Sequence, residues 1–258
     1  MNRVNQRFSK SLPIPNSRKC SRFSFSFSIT DSFISLQKNP VTKKGKLQKF
    51  AELAENPIVF EKKPVLKGKW RSEFFKNSHP VLLELACGKG DYTLGMARIF
   101  PDKNFIGMDI KGNRIWSAAR IAGIEQLTNV AFIRDQIDHL SDYFENGEVE
   151  EIWITFSDPF PKDGDARRRL TAKKFLQLYK KVLKPGGLIH LKTDSDILYN
   201  FTKETLSEFP SVILKDYPDV YAMHKNDELY GIQTYYEQMH LRDGKTIKYL
   251  CFQVSGES

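Results

Sequence analysis

Val81-Leu82-Leu83-Glu84-Leu85-Ala86-Cys87-Gly88-Lys89-Gly90 is the stretch that decides the fold. A short apolar run meets a Gly-x-Gly turn, and Tyr92–Phe100 then follows with helical spacing, so the segment reads as strand, turn and helix. The same alternation continues outward. Phe105–Ile110, Asn129–Arg134, Glu151–Phe156 and Leu188–Thr193 read as further strands, with helices over Ile115–Gly123 and Thr171–Leu183. In the second helix Thr171 is placed to cap, Phe175, Leu178, Tyr179 and Val182 recur at helical spacing, and Pro185-Gly186-Gly187 stops the run. Thr246–Phe252 alternates as a last strand after the turn Asp243-Gly244. Strands separated by helices predict an α/β fold, a mostly parallel sheet covered on both faces, with ligands bound at its carboxyl edge.

The chemistry of that edge is legible in four places. Glycines at Gly88 and Gly90 let backbone approach a ligand closely. A dinucleotide fingerprint would need a third small residue at position 93, where this chain has Thr93, and that weighs against a pyrophosphate. Glu84 is unsuited to a phosphate and suited to a cation. Asp109 closes the second strand nineteen residues after Gly90, where an acid can accept both hydroxyls of a ribose. Asp135, at the end of the third strand, is placed to face an adenine edge. Each feature alone reads as a turn or a helix cap. Together they predict a cationic nucleoside cofactor, S-adenosyl-L-methionine, whose ammonium and sulfonium Glu84 would favour.

The fourth strand ends in Thr155-Phe156-Ser157-Asp158-Pro159-Phe160-Pro161-Lys162, followed by Arg167-Arg168-Arg169-Leu170. This segment resembles the F-x-D-P-W-P-K…(K/R)-R-R motif of the tRNA (guanine-N7)-methyltransferases. Leu191-Lys192-Thr193-Asp194, Thr234-Tyr235-Tyr236-Glu237 and Lys46-Leu47-Gln48-Lys49-Phe50-Ala51 extend the resemblance across about residues 43–253. Phe160 departs from the usual tryptophan, and Gly164-Asp165-Ala166 from a basic, histidine-containing stretch. The resemblance implies a Rossmann-like class I methyltransferase with a seven-stranded, mostly parallel sheet and an antiparallel C-terminal hairpin. It implies methyl transfer to N7 of a guanosine in tRNA, at position 46 of the variable loop. It also implies Asp158 as the catalytic and cofactor-contacting acid, and Lys162, Asp194, Thr234, Tyr235, Tyr236 and Glu237 as substrate contacts. Guanine N7 keeps a free lone pair at neutral pH, so such a site needs positioning more than a base.

Arg167, Arg168, Arg169, Lys173 and Lys174 form a local basic run. Positive charge at a helix start opposes the helix dipole, which favours a phosphate-facing role over a merely solvated face, with Arg167, Arg168, Arg169 and Lys173 on the RNA backbone. Phe156, Phe160 and Tyr236 are candidates to stack on a flipped base. The overall charge is a weaker guide: residues 1–49 carry +10 of the total +9, and the remainder is −1. Residues 1–42 read as a basic Ser/Phe/Arg-rich extension to a methyltransferase domain over 43–258. A transit segment, a disordered arm and an upstream stretch that is not translated all fit that composition.

Three well-separated cysteines, Cys20, Cys87 and Cys251, predict neither a disulfide framework nor a zinc site and point to a reducing, cytoplasmic setting. No membrane span, no metal, and a monomer or homodimer are expected. A methyltransferase of the same fold acting on another RNA or on protein is the alternative. A non-catalytic RNA-binding module would have shown degenerate glycines or lacked Asp158.

Overall fold

The strand segments are apolar at successive positions, a pattern that requires burial on both faces of a sheet. The computed structural model describes residues 43–223 and 232–255. Their order is α1 (Lys43–Glu55), β1 (Val59–Glu61), β2 (Val81–Leu85), α2 (Asp91–Ile99), β3 (Asn104–Met108), α3 (Gly112–Ile124), β4 (Val130–Arg134) and α4 (Leu140–Tyr143). Then come β5 (Val149–Thr155), α5 (Lys173–Val182), β6 (Leu183–Thr193), α6 (Asp196–Ser207), β7 (Ser211–Tyr217), the helix Tyr235–Arg242 and β8 (Lys248–Val254). The expected extension over residues 1–42 lies outside the described residues.

The strands form one sheet of eight in the order β1-β4-β3-β2-β5-β6-β8-β7. Pairing is parallel from β1 through β6, and β8 runs antiparallel to both β6 and β7. This is the expected α/β class, with the three-residue β1 as an edge strand added to the seven. The order reverses between β2 and β5, which opens a crevice at their carboxyl ends where ligands of such sheets bind.

Side chains alternate between two cores. Leu83, Leu85, Ile152, Ile154, Ile189 and Leu191 face a layer that includes Phe175 and Tyr179 of α5 and Leu198 of α6. Leu82, Phe105, Trp153 and Tyr249 face Tyr92 of α2 and Ile115 and Ala119 of α3. Glu84, Thr155 and Lys192 occupy the same alternating positions as this second set, so three polar side chains point from strand ends into the α2 side.

Two local expectations change. Ala172, not Thr171, stands at the N-cap of α5. Thr171 is fully buried and accepts a 2.8 Å hydrogen bond from the Thr202 hydroxyl, so packing against α6 takes the side chain that capping would have used. Pro185-Gly186-Gly187 does not end the helix either. β6 begins at Leu183 directly after α5 and runs through Gly187, where a Cβ would come 2.9 Å from the Lys184 carbonyl and 3.0 Å from that of Glu150.

Candidate active site

The chain leaves β2 through three left-handed residues, Ala86 (φ 55°), Gly88 (φ 58°) and Gly90 (φ 73°). Gly90 is crowded: a Cβ would lie 2.9 Å from Ala118 Cβ and 3.1 Å from the Phe132 ring. At Gly88 the opposite holds, since a Cβ would meet nothing within 4 Å and would stand in an open cleft. That cleft is lined by Glu84, Gly88, Arg114, Thr155, Phe156 and Tyr235, among others.

Glu84 is buried, and both its oxygens are held by neutral donors. Oε2 accepts the Thr93 N–H at 2.9 Å and the Thr93 hydroxyl, and Oε1 accepts the Thr155 hydroxyl at 2.6 Å. Burial raises its pKa to about 7 against the pull of these hydrogen bonds, and nearby Asp91 adds to the rise. Among the described residues Glu84 has no ion-pair partner. Asp109, also buried, accepts N–H groups from Gly88 at 3.0 Å and Lys111 at 2.7 Å, with Arg114 Nη1 3.9 Å away.

A second cavity, of about 300 Å³, adjoins the first through Ala86 and is lined by Asp109, Asp135, Ile137, Ser157 and Asp158. Asp135 receives the Gln136 N–H at 2.7 Å, His139 Nδ1 at 3.0 Å and the Tyr143 hydroxyl at 2.8 Å. Burial works to raise its pKa, but those hydrogen bonds outweigh it and hold the carboxyl below its usual value. Ser157 is a site residue that sequence does not single out. Its Oγ is buried without a hydrogen-bond partner among the described residues, beside this cavity.

The turn after β5 is strained in the same way as that after β2. Phe156 (φ 49°) and Phe160 (φ 43°) are left-handed without being glycine, a state that costs roughly 1–3 kcal/mol per residue and collects at functional sites. Asp158 is exposed, and its Oδ1 accepts the Phe160 N–H at 3.0 Å. The turn is clamped from below by Arg169, whose Nε and Nη2 donate to the Pro159 and Phe160 carbonyls at 2.9 and 3.0 Å.

Arg169 is one of the four cations expected on the RNA backbone. The side chain is buried and stacks 4.5 Å over Phe201, so its charge is spent on the turn. Its neighbours Arg167 and Arg168 are exposed. Arg168 pairs with Asp165 at 3.2 Å, Lys173 with Glu208 at 2.7 Å and Lys174 with Asp138 at 2.6 Å. Arg167 and Lys162 make no ion pair among the described residues. A different basic surface lies between α1 and α3, where Lys46, Lys49, Lys111 and Arg134 line a cavity of about 450 Å³ that meets the second cavity at Ile110. Sequence offers only the Lys-x-x-Lys spacing in α1 as a hint, since the other two cations come from distant segments.

The C-terminal motif is brought to the glycine loop. Thr234 caps the helix Tyr235–Arg242 by accepting the Glu237 N–H at 3.1 Å, and the Tyr235 N–H donates to Asp91 at 3.1 Å. Tyr235 and Tyr236 are exposed and line the cleft with Gly88 and Glu84. Glu237, the last residue of that motif, turns away from the cleft. It is completely buried, 2.7 Å from Lys192 Nζ. Asp194 is held by Lys245 at 2.8 Å and lies 3.5 Å from His240, which stacks on Phe156 at 6.0 Å.

The residues present fit S-adenosylmethionine. A desolvated carboxyl without a cation, an open cradle at Gly88 and a buried strand-end acid at Asp109 suit its charged and hydroxyl groups, and the orphaned Ser157 hydroxyl borders the adjoining cavity. Among the described residues no cluster of three metal-binding side chains occurs, and no helix is long and apolar enough to cross a membrane. A Rossmann-like sheet carrying this site is that of a class I, S-adenosylmethionine-dependent methyltransferase.

Residues 78–250 match the family model described as "Putative methyltransferase". The tRNA (guanine-N(7)-)-methyltransferase of Bacteroides thetaiotaomicron is 46% identical over 224 residues, 83% of this chain and 87% of its own length. That of Christiangramia forsetii is 50% identical over 204 residues, 79% of this chain and 88% of its own. In fold, the chain is similar to the solved 16S rRNA methyltransferase KamB, with a TM-score of 0.54 at 16% identity over 73% of this chain and 94% of that one. The chain belongs to the tRNA (guanine-N7)-methyltransferase family.

Proposed function

We propose that this protein transfers the methyl group of S-adenosylmethionine to N7 of a guanosine in tRNA, at position 46 in the variable loop. The observation that carries the reading is the meeting, at the β2–β5 switch point, of a buried carboxyl raised to about 7 with an exposed, backbone-fixed Asp158. S-adenosylmethionine supplies an electrophilic methyl group on a positively charged sulfur. Glu84, Gly88 and Gly90 hold its amino-acid end, Asp109 its ribose, and Asp135 with Ser157 its adenine.

Guanine N7 attacks with its own lone pair, so the protein removes no proton before transfer. Its work is to orient the base and exclude water. Asp158 accepts the N1–H and N2 donors of guanine, which orients N7, and as a carboxylate it also offsets the positive charge that develops on the methylated ring. Phe156, Phe160 and Tyr236 flank the base, and Lys162 with Asp194 bounds the substrate side. Arg167, Arg168 and the α1–α3 cavity contact the tRNA backbone, while Lys173 is shared with Glu208. Residues 43–258 serve as the catalytic domain of a cytoplasmic, metal-independent enzyme, monomeric or homodimeric.

The test is methylation of an unmodified tRNA transcript with labelled S-adenosylmethionine, followed by nucleoside analysis. 7-Methylguanosine at position 46 is expected. Cofactor binding without transfer to tRNA would move the acceptor elsewhere.

A further inference from the structure

Lys192 is a lysine whose whole side chain is buried. β6 aims its side chain at the α2 layer, where it is completely buried with Nζ 2.7 Å from Glu237 Oε1. The Tyr92 and Tyr221 rings flank it at 5.8 and 5.9 Å. Glu237 is equally buried, and its Oε1 also accepts the Tyr221 hydroxyl at 2.5 Å, which Gln233 Nε2 reaches at 3.2 Å. Apolar residues of similar volume are often at least as stable in such a place, so stability alone does not account for the pair.

Its connections do. Through Glu237, the pair fixes the first turn of the helix Tyr235–Arg242, which Thr234 caps. From there the Tyr235 N–H reaches Asp91 at 3.1 Å. Ile232 packs so tightly on α2 that a Cβ on Gly95 would stand 2.6 Å from its Cγ2. The segment 232–237 is thus pinned at three points, and between them Thr234, Tyr235 and Tyr236 wall the cleft that holds Gly88 and Glu84.

We infer that Lys192 is a positioning residue for methyl transfer: paired with Glu237, it holds the Thr234–Tyr236 wall against the glycine loop and shapes the end of the cleft that takes the amino-acid part of the cofactor. This rests on reading that cleft as the cofactor site.

The experiment is calorimetric titration of S-adenosylmethionine into the full chain, with tRNA methylation kinetics and thermal melting in parallel. The double substitution Lys192→Met/Glu237→Leu removes both charges and keeps the volume. It is expected to melt at or above the wild-type temperature while Kd and KM for the cofactor rise about tenfold and kcat at saturation changes less than about threefold. Recovery of wild-type Kd together with stability would make the pair structural only and overturn the inference. Lys192→Met/Glu237→Gln also removes both charges, keeps an acceptor for the Tyr221 hydroxyl and serves if the first double variant does not fold; a rise in KM of about tenfold is expected. An unchanged KM there overturns the inference as well. Wild-type protein that binds no S-adenosylmethionine would instead bring down the reading of the cleft, and the inference with it.

Discussion

The ends of β2 and β5 are neighbours in the sheet, and both release the chain through a non-glycine left-handed residue, Ala86 and Phe156. Beside each stands a carboxylate in an opposite setting. Glu84 is buried, held by two threonines and raised to about 7, whereas Asp158 is exposed and held by a single backbone N–H. The two settings suit two tasks. A carboxyl kept from water is costly until a cation arrives, so its affinity for an ammonium is built in advance. A carboxyl in water can orient a base but must be fixed by its turn, and that is what the Arg169 clamp and the strained backbone do.

Removing the exposed acid should have the largest effect. Asp158→Ala is expected to lower kcat by roughly 10²–10³, the usual cost of one lost transition-state contact, with stability changed by about 1 kcal/mol or less. Near-normal turnover would remove Asp158 from the reaction. On the buried side, Glu84→Gln should separate affinity from stability. The oxygen of the introduced amide can still accept from Thr93 and its nitrogen can donate to Thr155, so the fold survives, while loss of the charge weakens cofactor binding roughly 10- to 100-fold.

Stability should move the other way. The Glu84 pKa in the folded protein lies above its unfolded value, so the stability linked to its proton is complete below about 4.5 and is lost as pH rises through about 7. Between pH 5 and 8 the unliganded wild type should lose roughly 2.5 kcal/mol relative to the Glu84→Gln variant, read by urea unfolding. A smaller effect bears on the same contrast. The ammonium binds the ionised carboxyl, so wild-type Kd should weaken roughly tenfold from pH 7.5 to pH 6, a dependence the variant lacks. Parallel pH curves for the two proteins would mean that Glu84 does not meet the cation.

Strand ends are legible in the sequence because periodicity and turn chemistry are local: the run into Gly88-Lys89-Gly90 and the acids Asp109 and Asp135 stand where they are expected. What is not legible depends on partners far away in the chain. Nothing near Glu237 announces that Lys192 will bury it, and nothing near Thr171 announces Thr202. Ser157 becomes visible only as a buried hydroxyl without a partner among the described residues. The helix α1, the strand β7 and the helix Tyr235–Arg242 escape a reading of the sequence because they are short or weakly periodic, whereas α6 carries its own local signals in a Ser195 cap and an apolar face.

Charge is where local reading misleads most, and it gives the smallest of the expected effects. Arg167-Arg168-Arg169 looks like three phosphate contacts, but Arg169 is turned inward and Arg168 already faces Asp165. Each phosphate contact contributes about 0.7–0.9 to the slope of log K against log salt. Arg167→Ala/Arg168→Ala should therefore flatten the slope for tRNA binding by about 1 rather than 2, because displacing Asp165 offsets part of the gain from Arg168. Lys46→Ala/Lys49→Ala in the α1–α3 cavity should flatten it by at least as much, since these cations sit against Phe50 and Trp116 rings rather than carboxylates. A double arginine variant that lost a slope of about 2 while the lysine variant lost none would restore the basic run as the RNA track and return the cavity to an ordinary solvated surface.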